Sequence, residues 1–115
     1  FPTSCISFKR VFFKKFINFI KEKDYPNLEI DARISIFSKF FDNQYKIINK
    51  KLTFYETDPN SITAKISKFS KLWWIRRYQA FQYLKFILEK SNKKFIPSFD
   101  YYFTNIIVFV FKKGL

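Results

Sequence analysis

The residues with the clearest chemistry in this 115-residue chain are its lysines and arginines, which gather in short runs. Lys9-Arg10, Lys14-Lys15, Lys50-Lys51, Lys93-Lys94 and Lys112-Lys113 are adjacent pairs, and Lys65, Lys68 and Lys71 lead into Arg76-Arg77. With 22 Lys and Arg against 9 Asp and Glu, the net charge is +13. Like charges at that density repel one another in a compact chain unless a polyanion neutralises them. Phosphate contacts dominate affinity for nucleic acid, so all of these residues are expected to carry phosphate binding. The run from Lys65 to Arg77 is the strongest surface. Lys68 and Lys71 precede or open a predicted helix, where cations oppose the macrodipole and an external anion would offset the cost. A merely solvated basic surface is the alternative.

Other chemistry is poorly supplied. The chain has no His, a single Cys and a single Gly. Without His, the usual general base and the Ser-His and Cys-His pairs are missing. One glycine, Gly114, cannot build a P-loop or a dinucleotide fingerprint. Cys5 can form no intramolecular disulfide, and zinc or haem sites of the usual kinds have no ligands. Glu29 and Asp31 are a close carboxylate pair, better suited to surface ion pairs than to catalysis. The reading is a protein that is not an enzyme and takes no metal, cofactor or small-molecule substrate.

The elements that must position the cations follow from hydrophobic periodicity. Ser70 to Asn92 is long, free of Pro and Gly, and gathers Trp73, Ala80, Phe81, Leu84, Ile87 and Leu88 on one helical face. Ser67 or Ser70 can cap its start, and Ser91-Asn92 is a stop. This helix organises the domain, with Arg76 and Arg77 free to stack on rings or to reach an acidic partner. Ser4 to Lys23 reads as a first helix, with Phe8, Phe12, Phe16 and Phe19 inward and the basic residues outward. Leu28 to Phe37 alternates, with Leu28, Ile30, Ala32, Ile34 and Ile36 on one face and Glu29, Asp31, Arg33 and Ser35 on the other, which predicts a half-buried strand. Tyr45 to Ile48 and Leu52 to Thr57 read as a hairpin, Ile62 to Ser67 as a short strand, and Thr104 to Lys112 as a central strand apolar on both faces, favoured by its β-branched and aromatic residues over the alternative of a short buried helix. The expected fold is a single basic α+β domain over residues 1–115. It is a two-layer sandwich with two amphipathic helices on one face of a mostly antiparallel sheet of four to five strands.

Composition adds a second theme. Eighteen Phe and seven Tyr stand beside fifteen Ile, three Ala and one Gly, and Lys outnumbers Arg eighteen to four. These are the residues favoured by A- and T-rich codons, so many Phe are expected to fill ordinary core positions. The chain neither begins with Met nor contains one, which points to a processed chain, a fragment or an unusual start. The longest apolar run, Ile106 to Phe111, is far short of a membrane span.

The element order is loosely similar to that of the double-stranded-RNA-binding domain. In composition the whole chain resembles proteins encoded in AT-rich mitochondrial genomes of protists, among which small, strongly basic chains without spans are typically ribosomal. That resemblance implies a structural constituent of a mitochondrial ribosome in the matrix. Such a protein would bind rRNA through its Lys and Arg clusters and neighbouring proteins through aromatic surfaces, and would not function as a free monomer. The alternative is an accessory subunit of an inner-membrane respiratory or ATP-synthase complex, its first helix at the lipid interface. A free nucleic-acid-binding protein of the organelle is a third reading.

Overall fold

The computed structural model describes residues 6–42, 45–50, 59–60 and 66–114. Its regular elements are helices: α1 (Arg10–Phe16), α2 (Ile30–Phe37), α3 (Lys71–Lys90) and α4 (Phe99–Lys112). A 3₁₀ turn, Ile17–Phe19, extends α1, and a π-helical turn, Ser38–Asp42, extends α2.

The central helix expected at Ser70–Asn92 is α3, and its ends are set by local chemistry. The Ser70 hydroxyl accepts from the Trp73 amide at 3.3 Å, and the Ser70 carbonyl accepts from Trp74 at 3.1 Å. Phe69 precedes this cap in the left-handed region (φ 66°), where a bulky residue is rare. Its ring lies 5.1 Å from Trp73 and 6.1 Å from Trp74, so contact of the residue before the cap with that four after it fixes the entry angle. At the other end Asn92 takes φ 57°. Its amide bonds the Glu89 carbonyl and the Lys93 amide bonds the Leu88 carbonyl, closing the last turn.

Around α3 the core is aromatic. Phe16, Leu28, Ile34, Phe37, Tyr83 and Ile87 form its buried centre. Phe12, Phe16, Phe19 and Phe41 all meet Phe37 with ring centroids 4.7–5.4 Å apart. The phenylalanines do fill positions that aliphatic residues take elsewhere. Thus α1 and α2 pack on one side of α3, and α4 attaches separately to its first half. There Trp74 meets Phe103, Phe81 meets Tyr101, and Arg77 pairs with Asp100, while Thr104 and Val108 are the buried residues of α4.

The expected α+β sandwich is overturned: no strand occurs among the described residues. The alternation of Leu28 to Ile36 coexists with a second, helical pattern that continues past it. Ile34, Phe37 and Phe41 recur at spacings of three and four, and these are the positions that face the core. Arg33, expected on a solvated strand face, is 5% exposed. Its guanidinium donates to the carbonyls of Leu28 at 2.6 Å and Tyr25 at 2.5 Å, holding the entry to α2. The run Thr104 to Lys112 is the second half of α4, which begins at Ser98. That hydroxyl caps the Tyr101 amide at 3.3 Å, with Asp100 in the first turn. Pro97-Ser98 is a helix start and no mere connection. Its β-branched run (Ile106, Ile107, Val108, Val110) sits in a helix because tertiary packing overrides a weak propensity.

The first helix is shorter than Ser4–Lys23. It begins after Lys9 and ends where Lys21 turns into the left-handed region (φ 51°). Residues 45–49 have no regular structure, so the first arm of the expected hairpin is absent. The strand expected at Leu52–Thr57, most of that at Ile62–Ser67, and Cys5 lie outside the described residues.

Candidate nucleic-acid interface

The fifteen expected phosphate-binding residues divide into three groups. Lys51 and Lys65 lie outside the described residues. Arg76 and Arg77 are turned into the fold. Arg76 pairs with Glu29 and donates from Nε to the Asn27 carbonyl at 3.1 Å, and burial lowers its pKa from the usual guanidinium value. Arg77 pairs with Asp100, while its guanidinium carbon stands 5.4 Å from the Trp73 ring centre and 5.8 Å from that of Phe81. Both arginines therefore fasten neighbouring elements to α3, α2 through Glu29 and α4 through Asp100. The surface expected from Lys65 through Arg77 loses its C-terminal half for this reason.

The third group stays at the surface. Lys9, Arg10, Lys14 and Lys15 are exposed on or beside α1, and Lys50, Lys68, Lys71, Lys93, Lys94, Lys112 and Lys113 are exposed elsewhere. Among the described residues, Lys9, Arg10, Lys14, Lys71 and Lys94 reach solvent with no carboxylate partner. Lys68 and Lys113 lie over Phe69 and Phe109, and Lys112 lies 5.3 Å from the centre of the Tyr78 ring. Aromatic rings beneath these ammonium groups restrict them without cancelling their charge.

The fold also assembles a cationic pair that sequence spacing does not reveal. Lys93 donates from Nζ to the Phe40 carbonyl at 2.6 Å, and Lys39 lies 5.3 Å from the centre of the Phe40 ring. Two ammonium groups more than fifty positions apart in sequence thus converge on one residue at the π-helical turn. Lys94 follows immediately. In sequence Lys39 is a lone cation, and only the bond from Lys93 to the π-helical turn brings a second ammonium to the same residue.

No protein-family model, no curated protein and no solved structure matches this chain.

The two best-formed depressions are shallow. One is lined by Ile36, Arg77, Ala80, Phe81 and Leu84, the other by Glu29, Asp31, Ala32 and Ser35. Their volumes, about 180 and 220 Å³, fall below the ~300 Å³ at which ligand pockets begin. The exposed lysines offer a partner a spread of positive charge, a form suited to phosphates along a backbone.

Proposed function

We propose that this protein is a non-catalytic RNA-binding constituent of a ribonucleoprotein particle, with an organellar ribosome as the assembly its composition favours. The observation that carries the reading is the division of labour among its cations. The two arginines best placed for ion pairs consume Glu29 and Asp100 inside the fold. The exposed lysines are left with few acids nearby, in a chain of net charge +13. An ammonium on a long flexible stem suits a phosphate backbone that must be followed rather than read. In this reading Lys9, Arg10 and Lys14 at α1 meet one stretch of RNA, and Lys39 on the π-helical turn with Lys93 and Lys94 after α3 meets another.

The test is the salt dependence of RNA affinity, measured by fluorescence anisotropy with a structured RNA. Replacing Lys9, Arg10 and Lys14 together by Gln is expected to flatten the plot of log affinity against log salt by about two to three units. Replacing Arg76 and Arg77 by Gln is expected to leave that slope unchanged. A parent chain whose RNA affinity ignores salt would remove the electrostatic mechanism.

A further inference from the structure

Helix α4 is apolar on two opposite sides. Thr104 and Val108 are buried, while Phe99, Tyr102, Phe103, Ile106, Phe109 and Val110 are exposed. At 100° per residue these six fall within about a third of the helix circumference, opposite Thr104 and Val108. The exposure is large where it matters: Phe99 is 85% exposed, Ile106 60%, and Ile96, just before the helix, 80%. A helix apolar all round is ordinarily covered all round.

The charges around the stripe select what covers it. The lysine pairs Lys93-Lys94 and Lys112-Lys113 flank α4, with Lys94 and Lys113 open to solvent while Lys93 is held at the Phe40 carbonyl and Lys112 over the Tyr78 ring, and the helix's one acid, Asp100, is already paired with Arg77. A second copy docked along the stripe, parallel or antiparallel, would set these lysine pairs against one another. Nucleic acid would gain little from Ile96, Ile106 and Val110, which have no face for stacking. An anionic bilayer surface satisfies both features, taking the aromatic and aliphatic side chains among its acyl chains and the lysines at its phosphates. Lys113, lying 5.1 Å over the Phe109 ring, is placed to run its stem along the stripe and lift its ammonium to the headgroups. At 1.5 Å per residue the helix is about 21 Å long, too short to cross a ~30 Å hydrocarbon core, so it would lie flat. No helix among the described residues is long and apolar enough to span a membrane.

We propose that α4 docks this protein on an anionic lipid surface, its outer stripe inserted and its flanking lysines at the phosphates.

The experiment is flotation of the purified full chain with vesicles of phosphatidylcholine, alone or with phosphatidylglycerol, in the absence of RNA. Binding is expected to be about a hundredfold tighter to the anionic vesicles. The double variant Ile106→Asp/Phe109→Asp changes only exposed positions, so its helical circular dichroism should be retained while binding is lost. Ile106→Trp should be quenched by brominated acyl chains well beyond the native Trp73 and Trp74. Absence of flotation, or flotation that the double variant leaves intact, overturns the proposal. So does a dimer in sedimentation equilibrium that the double variant dissolves, since the stripe would then belong to a second copy.

Discussion

Arg33 and Tyr83 are the polar side chains on which the core depends. Arg33 places a guanidinium among aromatic rings without a carboxylate, its terminal nitrogens donating to the carbonyls of Tyr25 and Leu28 and its buried Nε left without a partner. Removing it orphans the Leu28 carbonyl at the entry to α2, while the Tyr25 carbonyl keeps the Leu28 amide. Arg33→Ala is expected to cost about 2–4 kcal/mol in urea unfolding. Arg33→Lys, able to serve fewer acceptors, should fall between it and the parent. Tyr83 is fully buried and donates its hydroxyl to the Phe19 carbonyl at 2.6 Å. Burial raises its pKa well above the ordinary phenol value, with the Arg33 charge partly offsetting, and Tyr25 is raised too, by burial and then by Asp24. The sign follows from which state ionises first. Below about pH 10 both states are protonated and the stability is fully present. As pH rises further, the unfolded phenols ionise while the folded ones resist, and stability falls. Tyr83→Phe should lose about 1 kcal/mol at neutral pH and decline less steeply than the parent above pH 10, read from urea midpoints across that range.

At the scale of elements, the ends of helices decided more than their middles. Ser70 and Asn92 were legible as punctuation, and α3 lies where that punctuation placed it. At Ser98 the same kind of cap, with Asp100 in the first turn, starts α4, while the β-branched run that follows points to a strand when taken alone. For α2 the alternation of Leu28 to Ile36 was real but short. The helical recurrence of Ile34, Phe37 and Phe41 becomes visible only when the window extends beyond the alternating stretch. The chain's one glycine closes α4 at φ 72°, with its amide on the Phe111 carbonyl. The candidate interface was legible as a set of cations and illegible as a surface. Spacing cannot say that Arg76 and Arg77 meet Glu29 and Asp100, nor that Lys93 reaches the Phe40 carbonyl. Ser70→Ala should cost about 1 kcal/mol of stability and Ser70→Gly only a few tenths, measured by chemical unfolding. That ranking is expected of a helix cap and not of a loop serine.

At the scale of the molecule, much apolar surface stays in water. Val11 and Ile17 on α1, Phe69 before α3 and the outer stripe of α4 are all exposed. A chain with this much uncovered aromatic and aliphatic surface, and +13 of charge, is built to be completed by partners. On the RNA-binding account the cations meet phosphate, and apolar surface such as that of α1 meets neighbouring proteins of the same particle. The most direct test is a sucrose gradient of organelle lysate, run with and without ribonuclease, with this chain followed by mass spectrometry. The account predicts that it sediments with a ribosomal subunit and shifts to lighter fractions when the RNA is digested. Sedimentation that ignores ribonuclease and follows a detergent-solubilised membrane complex would contradict it.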